Sequence, residues 1–186
     1  MLQIEKIGII KYNVKLNFKN IINTIKIMGE YIFPIRKITN KFSSINSKEE
    51  LQNFIQQRAA HVTQTTLYGY LKTRIGTRYN LMIEDEKYSN SINIAKWNIY
   101  VTSLSDLTFY VFSYLIDKKN LKQNDAEEIF INIINYETKN GLNKKIFEIA
   151  KKDFILKAKN INWKQFYIDH PFKDSASALY NWSPIA

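Results

Sequence analysis

Apolar residues recur at three- and four-residue steps after residue 47, which is the period of a helix buried along one face. Within residues 48–75 the apolar series is Leu51, Ile55, Ala59, Val62, Thr66 and Tyr70. Ser47 and Glu50 have the spacing of a capping box, in which the serine hydroxyl accepts from the backbone and the glutamate reaches back. Gly76 can adopt the left-handed conformation that ends a helix. This pattern predicts a first helix over residues 48–75.

The same period continues to the end of the chain. A continuously apolar stretch predicts a central helix over 86–117, and cap residues at Asn124 and Gly141 bound a third. A fourth is predicted over 143–159, and Asp174 is expected to cap a short closing helix over 175–182. One further turn is expected over 163–167. These elements predict an all-α fold, a bundle of about four to five helices.

The first 46 residues follow a different pattern. Residues 12–18 alternate strictly, as a strand does, and residues 19–29 form a short basic amphipathic pattern. Residues 1–42 carry eight Lys and Arg against two Glu. We therefore predict a basic, partly extended N-terminal arm over 1–46 and a helical domain over 47–186. The arm either packs on the domain or associates with a membrane surface.

The amino-acid composition offers a second explanation for the positive charge, besides a nucleic-acid partner. The formal net charge of +10 invites a nucleic-acid interpretation. However, 72 of the 186 residues are Ile, Lys or Asn, which A/T-rich codons encode. Lysine-driven basicity therefore reflects an AT-rich genome in part, and charge alone supports nucleic-acid binding weakly.

Several kinds of chemistry are missing from the sequence. The chain has no cysteine, which excludes disulfides and thiolate catalysis and removes the best zinc ligand. His61 and His170 are its only imidazoles, too few for most metal sites or triads. Neither a Gly-x-Ser-x-Gly elbow nor a phosphate-binding glycine loop is present. Consecutive carboxylates at 84–86 point in different directions on a helix, so we expect no metal site, and no cofactor or catalytic residue is assigned.

Membrane insertion and export are not expected from the pattern. Lysines interrupt every apolar stretch near the N-terminus, unlike a secretory signal. The most apolar long window, residues 97–116, contains Asn98 and Asp106. An aspartate at a bilayer centre costs about 3 kcal/mol. We predict a buried helix, no transmembrane segment and a cytoplasmic protein.

Residues 54–79 depart from the lysine-rich composition, since they hold three of the four arginines and a single lysine. Guanidinium provides a planar fork for carboxylate or phosphate and stacks on aromatic rings. On the first helix, a polar stripe at alternating three- and four-residue steps lies opposite the apolar series. The candidate binding residues are Arg58, His61, Thr65, Tyr68, Lys72, Arg74, Arg78 and Tyr79.

This segment has two interpretations. In the structural one, Arg74 and Arg78 bridge to Glu84, Asp85 or Asp106 and fix the turn after the first helix. In the functional one, the segment is a docking face for a protein partner or an anionic ligand. Arg74 lies at the helix end, where a cation is favourable, so it suits the structural role. Arg78 lies past the turn and suits the functional one.

Four segments resemble a family of small alphaproteobacterial proteins that are often labelled esterase. They are Leu67–Tyr79, Ser91–Trp97, Leu104–Leu107 and Ser177–Ala186. The label implies a small hydrolase in which Ser103 or Ser105, near Asp106, would act with a histidine. The residues themselves favour a non-enzymatic binding protein, and nucleic-acid association through the basic arm is a third hypothesis.

Overall fold

The structure is a computed structural model that describes residues 44–76, 85–119, 121–169 and 171–184. Within these ranges 81% of the residues are helical and there is no strand, which confirms the all-α prediction. The helices are α1 (Lys48–Ile75), α2 (Glu86–Lys119), α3 (Gln123–Thr138), α4 (Lys144–Asn160) and α5 (Lys173–Trp182). The strand and helix expected in the N-terminal arm lie outside the described residues, as do Arg78, Tyr79, Glu84 and His170.

The ends of α1 agree with its cap residues. The Ser47 hydroxyl accepts from the Glu50 N–H at 3.1 Å. The Glu50 carboxylate accepts from the Asn46 N–H at 2.8 Å, one residue earlier than the usual capping box. Gly76 has a φ of 60° and its N–H donates to the Lys72 carbonyl. Local sequence therefore determines both ends of α1.

Two other predicted caps were wrong. Helix α3 begins at Gln123 with Lys122 as its N-cap, so Asn124 lies inside the helix. Helix α5 begins at Lys173, and no side chain of its own caps it. Helix α4 does have a local cap, because the Asn143 side chain accepts from the Lys145 N–H at 2.8 Å.

Helix α2 is the central element of the compact unit Asn46–Ala186. Its 34 residues span about 51 Å, and buried side chains occur all around it. One hydrophobic cluster joins α2 to the first half of α1 and to α3, α4 and Trp163. A second joins the start of α2 to the end of α1 and to α5. In length and composition α2 could also cross a membrane, but 56% of its most apolar window is buried inside this fold.

Stacked phenylalanines hold the centre of the first cluster. Phe154 of α4 lies between Phe109 of α2, with ring centroids 4.3 Å apart, and Phe130 of α3, at 4.0 Å. Both pairs are nearly parallel, with interplanar angles of 13° and 9°. Burying three such rings removes a large apolar area from water, which fixes α4 against α2 and α3.

The buried row of α1 differs from the predicted apolar series. Its buried residues fall at every fourth position: Ile55, Ala59, Thr63, Leu67 and Leu71. Val62, expected to face the core, is 48% exposed. Helix α1 therefore packs along a ridge of four-residue steps, the commonest geometry between globular helices. The row tolerates Thr63 because its hydroxyl donates to the Ala59 carbonyl at 2.8 Å.

Candidate functional site

The predicted polar stripe forms one surface of α1, which we call the polar face of α1: Arg58, His61, Thr65, Tyr68 and Lys72. Four of these residues are exposed, and Tyr68 is half-buried against the second hydrophobic cluster. With Arg74, the residues extend over about 24 Å of helix. The structure thus places Arg58, His61, Thr65, Tyr68 and Lys72 along one solvent-facing surface, whereas Arg74, two residues after Lys72, is exposed on another side of the helix end.

The charge on this surface has a single sign. Between Leu51 and Gly76 the chain contains Arg58, Lys72 and Arg74 but no aspartate or glutamate. In the described parts of the chain, no carboxylate lies within ion-pair distance of these three cations. The Arg58 guanidinium lies 5.4 Å from the Phe54 ring, one turn earlier on the same helix. Their charge is therefore not neutralised by the helix that carries them.

The proposed bridge from Arg74 to Asp106 is not formed. Arg74 is exposed in the last turn of α1, where a cation interacts favourably with the helix dipole. Asp106 is fully buried, and both of its oxygens have other partners. Among the described residues Arg74 does not pair with Asp85 either, and the predicted bridge to Glu84 lies outside the described residues.

Asp106 connects α2 to two other helices. One carboxylate oxygen accepts from Lys157 Nζ of α4 at 2.8 Å. The other accepts from the Ser175 N–H at 2.8 Å. Ser175 is the third residue of α5, so a side chain of α2 supplies the N-terminal cap that α5 lacks locally. Sequence reasoning missed this contact, although an aspartate in the most apolar helix signals a buried partner.

Lys157 links Asp106 and Asp174 into a cluster of three charged side chains. Its ammonium also donates to Asp174 of α5 at 2.7 Å, and it lies 5.2 Å from the Phe109 ring and 5.3 Å from the Phe166 ring. Burial acts to lower the pKa of Lys157, but the hydrogen bonds to Asp106 and Asp174 outweigh it and raise the pKa above its ordinary value. Lys157 is therefore a charged link between α2, α4 and α5.

A groove of about 290 Å³ lies beside this cluster. We call it the interhelical groove. Helix α2 contributes Asn98, Val101, Thr102, Ser105 and Asp106, α4 contributes residues from Ile146 to Lys157, and α5 contributes Asp174 and Trp182. Residues of two segments singled out in the sequence, 104–107 and 177–186, thus line one groove.

The groove contains only part of the hydrolase arrangement. Ser105 and Asp106 line it, whereas Ser103 is buried and does not. No histidine among the described residues lines the groove, and His61 lies on the exposed surface of α1. Because Lys157 and Ser175 occupy the oxygens of Asp106, this carboxylate does not orient an imidazole. Nor does the described part of the chain gather three His, Cys, Asp or Glu side chains that could hold a metal ion.

A second buried carboxylate, Glu137, joins α1, α2 and α3. It accepts from Gln56 at 2.7 Å, from the Tyr100 hydroxyl at 3.1 Å and from Asn140 at 2.9 Å. Burial, followed by the nearby Glu137 charge, raises the pKa of Tyr100 well above its usual value. No local pattern predicts the contacts with Tyr100 and Gln56, because these two partners are 37 and 81 residues away.

Comparison with known proteins gives no family for the chain: a scan against family models, a search of curated proteins and a search of solved structures each found no match.

Proposed function

We propose that this protein acts by binding, and that the segment Arg58–Tyr79, whose described part includes the polar face of α1 and Arg74, docks on an acidic surface of a partner protein. The observation that carries the proposal is the unneutralised charge of this surface. Three cations lie along about 24 Å of exposed helix with no acidic residue between them. Because no carboxylate among the described residues pairs with these cations, a partner carboxylate would gain a charge-assisted hydrogen bond without displacing one of those residues.

The spacing of the cations favours a protein over a nucleic acid. Arg58 and Lys72 are 14 residues apart, about 21 Å along the helix. Duplex DNA carries one negative charge for about every 1.7 Å of its axis, and proteins that bind it neutralise several phosphates. Here the interval is filled instead by the hydrogen-bonding side chains His61, Thr65 and Tyr68. Such a mixed surface suits a partner protein that also presents neutral polar groups. We propose that this protein and its partner meet in the cytoplasm.

Charge-neutralising variants test this proposal. The triple variant Arg58→Gln, Lys72→Gln and Arg74→Gln should bind a labelled Asp/Glu-rich peptide at least about tenfold more weakly than the unchanged protein, measured by fluorescence anisotropy. The control triple variant Lys139→Gln, Lys144→Gln and Lys152→Gln removes equal charge from exposed positions of other segments. It should bind within about twofold, and the first variant should melt only slightly lower, because Arg74→Gln removes a cation from the last turn of α1.

Three results would contradict the proposal. Equal losses in both triple variants would mean that the peptide responds only to net charge. Failure of the unchanged protein to bind the acidic peptide would show that this segment is not a docking surface for acidic partners. Preference for duplex DNA, lost when residues 1–42 are removed, would instead favour nucleic-acid association through the basic arm.

No specific observation favours ester hydrolysis as a second function. Ser105 has no imidazole beside it in the described residues, and Asp106 is engaged elsewhere. We expect no turnover above background on short-chain acyl esters in a spectrophotometric assay. Turnover that disappears in Ser105→Ala and persists in Ser103→Ala would establish the hydrolase instead.

A further inference from the structure

The interhelical groove differs in character from one end to the other. Helices α2 and α4 each contribute a row of side chains along about 12 Å or more of their length, and α5 contributes Asp174 and Trp182, which are about 12 Å apart along its axis. The end that contains Asp106, Lys157 and Asp174 is charged, because these three groups meet there. Trp182 lies two turns farther along α5 than Asp174, and Ile146 three turns from Lys157 on α4. The opposite end is therefore walled by an aromatic ring and aliphatic side chains.

Carboxylates are in excess at the charged end. Lys157 is the single cation among the residues that line the groove, and the fully buried Asp106 matches its charge. Asp174 binds the same ammonium from a more exposed position. Asp153, one turn before Lys157 on α4, is exposed, and no described residue lies within hydrogen-bond or ion-pair distance of its carboxylate. The residues that line the groove thus include three aspartates and one lysine, although the chain as a whole has a net charge of +10.

The apolar end has surface that the fold does not cover. The Ile149 side chain remains 51% exposed and Trp182 44% exposed, although both line the groove. An aromatic ring placed between them would bury apolar area on both sides. The groove volume of about 290 Å³ is at the small end of the range for ligand pockets.

We propose that the interhelical groove binds a small organic ammonium ion with an aromatic body. Its charged nitrogen lies between the carboxylates of Asp153 and Asp174, and its ring lies between Ile149 and Trp182. Charge complementarity at one end and apolar burial at the other select this class of ligand over an anion or a neutral molecule of the same shape. This site is separate from the polar face of α1 and does not depend on it.

Isothermal titration calorimetry with 2-phenylethylammonium, and with 3-phenylpropionate as an anion of similar shape, tests the site. The ammonium should bind at least about tenfold more tightly than the carboxylate, equivalent to about 1.4 kcal/mol. Asp153→Asn should weaken ammonium binding by about tenfold without changing the melting temperature, because Asp153 has no partner to lose within the described residues. Trp182→Ala should weaken both the affinity and the selectivity for aromatic over small alkyl ammonium ions.

Glu148→Gln provides the matched control. Glu148 is an exposed residue of α4 outside the groove, so its loss removes equal charge from the same helix. It should bind the ammonium within about twofold of the unchanged protein. The proposal is overturned if Glu148→Gln and Asp153→Asn lose equal affinity, if the carboxylate binds as tightly as the ammonium, or if the ammonium shows no heat of binding up to about 10 mM.

Discussion

Asp106 is the residue through which α2 positions the two helices that follow late in the chain. Its two oxygens bind Lys157 and the Ser175 N–H, 51 and 69 residues away. A fully buried carboxylate is stable only when it is paired and hydrogen-bonded, and these two contacts meet that requirement. Asp174 binds the same ammonium from a side chain that is 57% exposed, where solvent weakens the interaction.

We therefore expect Asp106→Asn to lower the free energy of unfolding by about 2–3 kcal/mol. This is below the usual cost of breaking a buried pair, because Lys157 keeps Asp174 and is itself 27% exposed. Asp174→Asn, the matched control on the same ammonium, should cost at most about 1 kcal/mol. Urea denaturation followed by circular dichroism measures both, and equal losses would show that burial of Asp106 is not the deciding factor.

The charge on Lys157 predicts a dependence of stability on pH. Its pKa is raised above the ordinary value of 10.5, so its contribution to stability is complete below 10.5 and is lost as pH rises through the raised pKa. The difference in urea midpoint between the unchanged protein and Lys157→Met should be steady from about pH 7 to pH 9 and shrink above about pH 10.5. A difference that shrinks instead between about pH 7 and pH 9 would contradict the raised pKa.

At the scale of helices, a helix end is predictable from the sequence when the contact that determines it lies between residues close together in the chain. Ser47, Gly76 and Asn143 act within four residues of their own position, and the ends they define were predicted within a residue. The cap of α5 was not predictable from nearby residues, because it comes from Asp106 on another helix. The polar stripe was found because helical spacing determines which residues share a face. The interhelical groove forms where three helices meet, so the sequence points to only two of its residues, Ser105 and Asp106, as part of a site.

Substituting the two glycines of α1 compares the role of glycine inside the helix with its role at the helix end. Gly69 lies within the helix, is exposed, and a Cβ there would meet nothing within 4 Å. Gly69→Ala should therefore raise the free energy of unfolding by about 0.5–1 kcal/mol, since alanine loses less backbone entropy. Gly76→Ala should lower it, because a φ of 60° strains any residue with a Cβ. Thermal unfolding distinguishes them, and a shift of the same sign in both would contradict the assigned helix end.

The two asparagines near helix starts provide a similar contrast. Asn143→Ala removes a side-chain cap from α4 and should cost about 1 kcal/mol. Asn124→Ala changes a residue inside α3 that caps nothing and should cost less than about 0.5 kcal/mol. Urea midpoints of the two variants provide the measurement. A larger loss of stability in Asn124→Ala than in Asn143→Ala would show that Asn124 does cap α3, as the sequence pattern predicted.

For the whole molecule, the decisive question is whether the helices fold without the basic arm. Residues Asn46–Ala186 form one compact unit, and the described members of both hydrophobic clusters lie between Leu51 and Leu179. The Ser47 cap and the ion pairs of Lys48 with Asp125 and Glu128 lie within the same unit. The unit therefore contains the contacts that define its first helix.

A chain that begins at Ser43 should accordingly unfold cooperatively and keep its helical circular dichroism spectrum. It should also bind duplex DNA or anionic vesicles more weakly, because residues 1–42 carry six of the ten net positive charges. A shorter chain that begins at Phe54 serves as the control, since it loses the Ser47 cap and the Lys48 ion pairs and should unfold at lower urea concentration. Aggregation of the longer chain would instead show that the isoleucine-rich arm completes the core, and the boundary at residue 46 would then be wrong.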